Sequence, residues 1–181
     1  MKPLPLHCLL RPLRLSDEVA LREFFNSHSA ETLYQRYHYP ITALSPDRAQ
    51  KLLGVDQQRD VAFAVVETTG AGERIHAVGR YYTEPGDEIA EMAFVVRESM
   101  RRLGLALRLL YKLGETAAGR LAWLRAQVLR DNVGMRALLR PFTAEMHSLP
   151  HSDVIEYFVP VSALNASSRG DLCRFAEVAP R

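Results

Sequence analysis

The sequence predicts a single α/β domain built on a mixed, mostly antiparallel sheet of about six to seven strands flanked by helices. Three observations carry that expectation. A chain of 181 residues, 48% hydrophobic and 24% charged, has the size and composition of one packed core. Three short apolar runs rich in β-formers follow one another between Asp60 and Arg97, separated by glycine and proline turns. A strongly amphipathic helix then begins at Gly104, directly after a basic loop.

Taken in order, His7 to Leu15 reads as a strand, and Ser16, Asp17 and Glu18 supply a cap and first-turn acids for a helix carrying Leu21, Phe24 and Phe25 on one face. A second helix starts at Ser29 and runs through Leu33 and Tyr37. A third opens at Ser45 and Pro46, where proline at the first helical position loses no hydrogen bond, and buries Ala49, Leu52 and Leu53. Val61 to Val66, Ile75 to Thr83 and Ile89 to Arg97 make an antiparallel meander. Ala106, Leu109, Leu110, Leu113 and Ala117 recur at helical spacing, which predicts a helix from Gly104 to Arg120. Trp123 to Leu129 is a further strand, Asn132 to Leu139 a helix ended by Pro141, and Val154 to Val161 a last strand. The folded unit is expected over 7–162, and the turn-rich composition of 163–181 suggests a disordered tail.

Charge and composition narrow the function. A net charge of +2 is too mild for a nucleic-acid surface. Cys8 and Cys173 stand far apart with no redox or zinc spacing, and the histidines lack ligand spacing, so no metal is expected. No apolar run approaches the roughly 18 residues of a membrane span, and the first residues lack a signal-peptide core, so a cytoplasmic chain is expected.

The residues that carry chemistry sit around the third meander strand. Strand, basic glycine-bearing loop and helix follow one another from Ala90 to Ala117. The first amides of a helix have no internal partner and lie at the positive end of its dipole, so a loop curling over them can hold a pyrophosphate. Arg101 and Arg102 add charge there, while Gly104 and Ala106 leave room for close approach. The run lacks the lysine and hydroxyl of an ATP-binding loop. Glu91 shares a strand face with Ala93 and Val95. A carboxylate in such an apolar setting is expected to have a raised pKa and to suit deprotonation of an ammonium nucleophile, although an ion-paired structural carboxylate fits the same position. Asn132 suits a helix cap, and Tyr37, near Tyr34, His38 and Tyr39, suits packing.

On these residues the chain resembles the GNAT acetyltransferase superfamily. Arg101 to Ala106 matches its acetyl-CoA signature, Q/R-x-x-G-x-G/A, with Arg102, Leu103, Gly104 and Leu105 between. Val128 to Leu139 resembles the segment whose asparagine, here Asn132, contacts the pantetheine arm. Ser29 to Tyr37, with Leu44 to Asp47, looks like the front half of Pat-type bacterial protein lysine acetyltransferases. The resemblance implies acetyl-CoA as cosubstrate, with the strand through Phe94, Val95 and Val96 beside the pantetheine and a backbone amide near Val95 or Val96, at a bulge, polarising the thioester carbonyl. It also implies Glu91 as base, a protein lysine as acceptor and the homodimer common in that superfamily. Two departures stand out: Leu139 replaces a tyrosine proposed as general acid, and Arg102 and Leu103 replace more usual small or basic loop residues. A small-molecule amine acceptor, or an acyl-CoA-binding sensor without turnover, are the alternative readings.

Overall fold

The computed structural model describes residues 8–70 and 72–165. Its elements are β1 (Cys8–Pro12), α1 (Glu18–Asn26), α2 (Ala30–Tyr37), α3 (Pro46–Leu53), β2 (Asp60–Thr69), β3 (Gly72–Tyr82), β4 (Ile89–Val96), α4 (Leu105–Ala117), β5 (Trp123–Leu129), α5 (Val133–Leu139), β6 (Glu145–Ser148) and β7 (Val154–Pro160). The seven strands form one sheet in the order β1-β2-β3-β4-β5-β7-β6. Every neighbouring pair is antiparallel except β4 and β5, which are parallel. Parallel neighbours need a crossover, and α4 supplies it.

Local chemistry explains where the helices begin. Ser29 caps α2 by accepting a hydrogen bond from the Thr32 amide at 3.2 Å, and Ser45 caps α3 through the Arg48 amide at 3.3 Å with Pro46 at the first helical position. Both faces of the sheet are covered. Val61, Phe63 and Val65 of β2 meet α4 on one side, while Ala62, Ala64 and Val66 meet α1 and α3 on the other. A strand buried on both faces reads as a continuous apolar run, which is why 61–66 shows no alternation.

Three features differ from the sequence expectation. β1 stops at Pro12, because the Arg14 amide donates to the Asp17 carboxylate at 2.8 Å and the chain turns through Leu15–Asp17 before α1. β6 was not anticipated; all four of its residues are exposed at the sheet edge. The packed unit also extends past residue 162. Residues 161–165 are helical, and Leu164, 1% exposed, fills the space over Gly114, where a Cβ would stand only 2.6 Å from the leucine Cβ. Residues 166–181 of the expected tail lie outside the described residues.

Candidate active site

β4 and β5 do not run side by side for their full length. They pair only at Ile89↔Trp123, Ala90↔Leu124 and Glu91↔Arg125, and β4 continues to Val96 without a β5 partner. A gap therefore opens in the sheet just beyond Glu91. Backbone direction tells which groups line it. The Arg97 amide donates to the His76 carbonyl on the β3 side at 2.8 Å, whereas the Glu88 carbonyl accepts from the Ala122 and Trp123 amides on the β5 side at 2.8 and 3.1 Å. Alternate residues turn their peptide groups the same way, so Met92, Phe94 and Val96 turn theirs toward β5, and those of Phe94 and Val96, beyond the last paired residues, open on the gap.

This corrects two details of the sequence reading. The β3–β4 register runs unbroken from Tyr82↔Glu91 to Ala77↔Val96, so β4 carries no bulge against β3. Val95 faces β3, where it pairs with Val78; of the two amides expected near the reacting carbonyl, only that of Val96 opens on the gap, together with that of Phe94. An even ladder on one side leaves an even row of peptide groups on the other.

The basic loop sits at the far end of the gap. Glu98–Met100 form a single tight turn, Arg102 adopts a left-handed conformation (φ 62°) and so does Gly104 (φ 79°), the residue that begins α4. Such a φ costs a side chain with a Cβ, and glycine avoids that cost. No side chain caps α4, so the first amides of this 13-residue helix, from Leu105 and Ala106 onward, are open to a ligand. Leu105 is buried in the core, Leu103 and Ala106 are half-buried, and Arg101 and Arg102 are exposed. Arg101 does not simply project outward. Its Nη2 donates to the Thr32 hydroxyl at 2.6 Å, and Glu98 accepts from the same hydroxyl at 2.7 Å and from the Ser29 amide at 3.0 Å. The hydrogen bonds from Thr32 and Ser29 hold the Glu98 carboxyl at about 2. Thr32 and Glu98 thus tie the loop to the start of α2, a link that no sequence motif marks.

Glu91 departs from expectation. It shares its face with Ala93 and Val95 as alternation requires, yet its side chain is 54% exposed and pairs with Arg125 Nη2 at 3.2 Å. Arg125 in turn lies 3.7 Å from Glu156. The apolar setting expected around the carboxylate is absent: the side chains set around it are the charged ones of Arg125 and, beyond it, Glu156. On the opposite lip of the gap, beyond β5, Asn132 caps α5 by accepting from the Met135 amide at 3.0 Å. Its amide nitrogen makes no hydrogen bond among the described residues. Leu139 is fully buried in the core. Tyr37 is half-buried against Phe25, while Tyr34 and Tyr39 are exposed. Among the described residues, no group of three or more histidine, cysteine or acidic side chains is placed to hold a metal.

The sheet thus splits beyond its one parallel pairing, next to an uncapped helix reached by a glycine loop, in an α/β domain of one mixed seven-stranded sheet. The chain belongs to the acetyltransferase (GNAT) domain family, whose model matches residues 7–142. It is similar to the acetyltransferase PA5475 of Pseudomonas aeruginosa, with 29% identity over 99 residues, 55% of this chain and 53% of that protein. The match therefore spans about half the length of that relative. Among solved structures, the GNAT domain of S. lividans PAT superposes with a TM-score of 0.74 at 25% identity, covering 83% of this chain and 89% of the other. RimL, a ribosomal L7/L12 alpha-N-protein acetyltransferase solved with coenzyme A, shares the fold at a TM-score of 0.69 and 17% identity, covering 89% of this chain and 98% of the other.

Proposed function

We propose that the chain transfers an acetyl group from acetyl-CoA to an amine, with a protein lysine as the acceptor, in the cytoplasm. The observation that carries this reading is the β4–β5 gap opening beside the uncapped start of α4. The residues fit the cosubstrate. The open amides of Leu105 and Ala106, with Arg102 and Arg101 nearby, suit a pyrophosphate, and the free peptide groups of Phe94 and Val96 suit the amides of a pantetheine arm. Asn132 has an amide nitrogen to offer from the other lip. Bound acetyl-CoA supplies an activated acetyl thioester. Glu91, an exposed carboxylate at the mouth of the gap, takes the proton that the ammonium must lose before it can attack. The amide of Phe94 or Val96 stabilises charge developing on the carbonyl oxygen. The buried Leu139 carries no proton, so the departing thiolate leaves as the anion.

The lysine acceptor is supported by the likeness to the PAT domain and by the Ser29 to Asp47 segment. The cytoplasmic placement rests on the sparse cysteines; no described helix is long and apolar enough to cross a membrane. The test pairs calorimetric binding of acetyl-CoA with transfer to lysine-bearing proteins and to free polyamines. Glu91→Gln should bind acetyl-CoA as the wild type does and lose about 100-fold or more in turnover. Unchanged turnover removes Glu91 from the reaction, and transfer to polyamines alone removes the protein acceptor.

A further inference from the structure

A cavity of about 40 Å3 lies between the sheet and the α1–α2 layer, with Ala93 and Val95 of β4 in its wall. Most of the lining is apolar, but Arg36 and His28 are not. Arg36 is half-buried, and among the described residues no carboxylate lies within ion-pair distance of it; its guanidinium rests 4.9 Å from the centroid of the Tyr37 ring. Arg80 lines the same cavity and makes the contrast plain, because Asp60 neutralises it through contacts of 2.5 and 2.6 Å. His28 is 9% exposed, and its Nε2 is buried without a hydrogen-bond partner among the described residues. Buried polar groups in folded proteins are almost always satisfied, so the bare Nε2 of His28 calls for a partner. Arg36, half-buried and without a counter-ion among the described residues, brings a positive charge to the same small space.

We propose that this cavity is a carboxylate subsite. The volume exceeds the about 10–15 Å3 that one water needs, so the space admits a small polar group such as a carboxylate. Arg36 provides the charge and a forked set of donors matched to it. Ala93 and Val95 place the subsite against the strand that borders the gap, and Glu91 is within electrostatic reach of Arg36. The carboxylate comes either from the far end of a dicarboxylic acyl group carried on coenzyme A or from the acceptor, in which case the acceptor is a free amino acid and replaces the protein lysine proposed above. The inference rests on the coenzyme A reading of the gap.

The test uses the purified full chain and two matched pairs of probes. Succinyl-CoA and acetyl-CoA are compared by calorimetry, and acetyl transfer is compared between lysine and cadaverine, the same amine chain without the carboxylate. Wild type, Arg36→Gln and Arg36→Lys are measured in each. If the acyl group supplies the carboxylate, succinyl-CoA binds at least 10-fold tighter than acetyl-CoA to the wild type, a preference lost in Arg36→Gln and partly kept in Arg36→Lys. If the acceptor supplies it, lysine is preferred over cadaverine by a similar factor through KM, with the same pattern across variants and no change in acetyl-CoA affinity. Wild-type indifference within both pairs overturns the subsite alone, and needs no variant to fold. Failure to bind either acyl-CoA overturns the coenzyme A reading and the subsite with it.

Discussion

Asn132 caps α5, and the contact with acetyl-CoA proposed for it can be separated from that cap by substitution. Its Oδ1 is committed to the Met135 amide at 3.0 Å, so only the amide nitrogen remains to reach a ligand across the gap. Removing a helix cap costs about 1 kcal/mol, which in a domain of this size lowers Tm by about 2–4 °C. A net hydrogen bond to a neutral group contributes about 0.5–1.5 kcal/mol, or roughly 2- to 12-fold in Kd. Asn132→Ala should therefore show both losses. Asn132→Ser and Asn132→Asp retain an oxygen that caps α5 but have no amide to donate, so their melting temperature should stay near the wild type while acetyl-CoA binding weakens. Scanning calorimetry and isothermal titration read the two quantities separately. If the serine variant binds acetyl-CoA as tightly as the wild type, Asn132 is a cap and nothing more.

Two other perturbations follow from packing and charge. Gly114→Ala places a methyl group 2.6 Å from the Leu164 Cβ and 2.7 Å from its Cδ1, the second of which Leu164→Ala removes, so overpacking of about 1–3 kcal/mol opposes a helix-propensity gain of about 1 kcal/mol. Tm should fall, and the double change with Leu164→Ala should cost less than the sum of the two; a rise in Tm would show that 161–165 does not hold its place over α4. Glu98 tests the link between the loop and α2. Its carboxyl is held near 2, below the 4.5 of an unperturbed group, so the stability it confers is complete above about pH 4.5 and is lost as pH falls toward 2. Urea midpoints from pH 5 to pH 2 should fall less steeply in Glu98→Gln than in the wild type, and equal slopes would dissolve the argument.

Much of the architecture could be read from residue order because local chemistry and tertiary role agree. Ser29 and Ser45 announce helices that they do cap, and the apolar period of α4 matches the face it buries. What escaped has a physical reason in each case. Glu145–Ser148 has neither alternation nor burial, so only its ladder with β7 makes it a strand. Alternation assigned Glu91 its face but not its depth, since depth depends on which segments fold over that end of β4, and its neighbour there, Arg125, is distant in sequence. The gap depends on where β5 ceases to pair, a register between segments separated by a helix, to which no local pattern responds. Arg36 escaped because an arginine in a helix looks ordinary until the carboxylates around it are sought in space.

The early end of the β4–β5 pairing also has a mechanical meaning. It divides the sheet into a four-stranded slab and a three-stranded slab that share backbone ladders at only three residue pairs, near one edge. One core nevertheless runs under both slabs, from Phe94 and Leu109 to Val128 and Tyr157, so the break removes backbone rungs without dividing the packing. The opening is thus a slot of unpaired peptide groups held in a rigid frame, its width set by side chains that lie beneath it and not by the strands that border it.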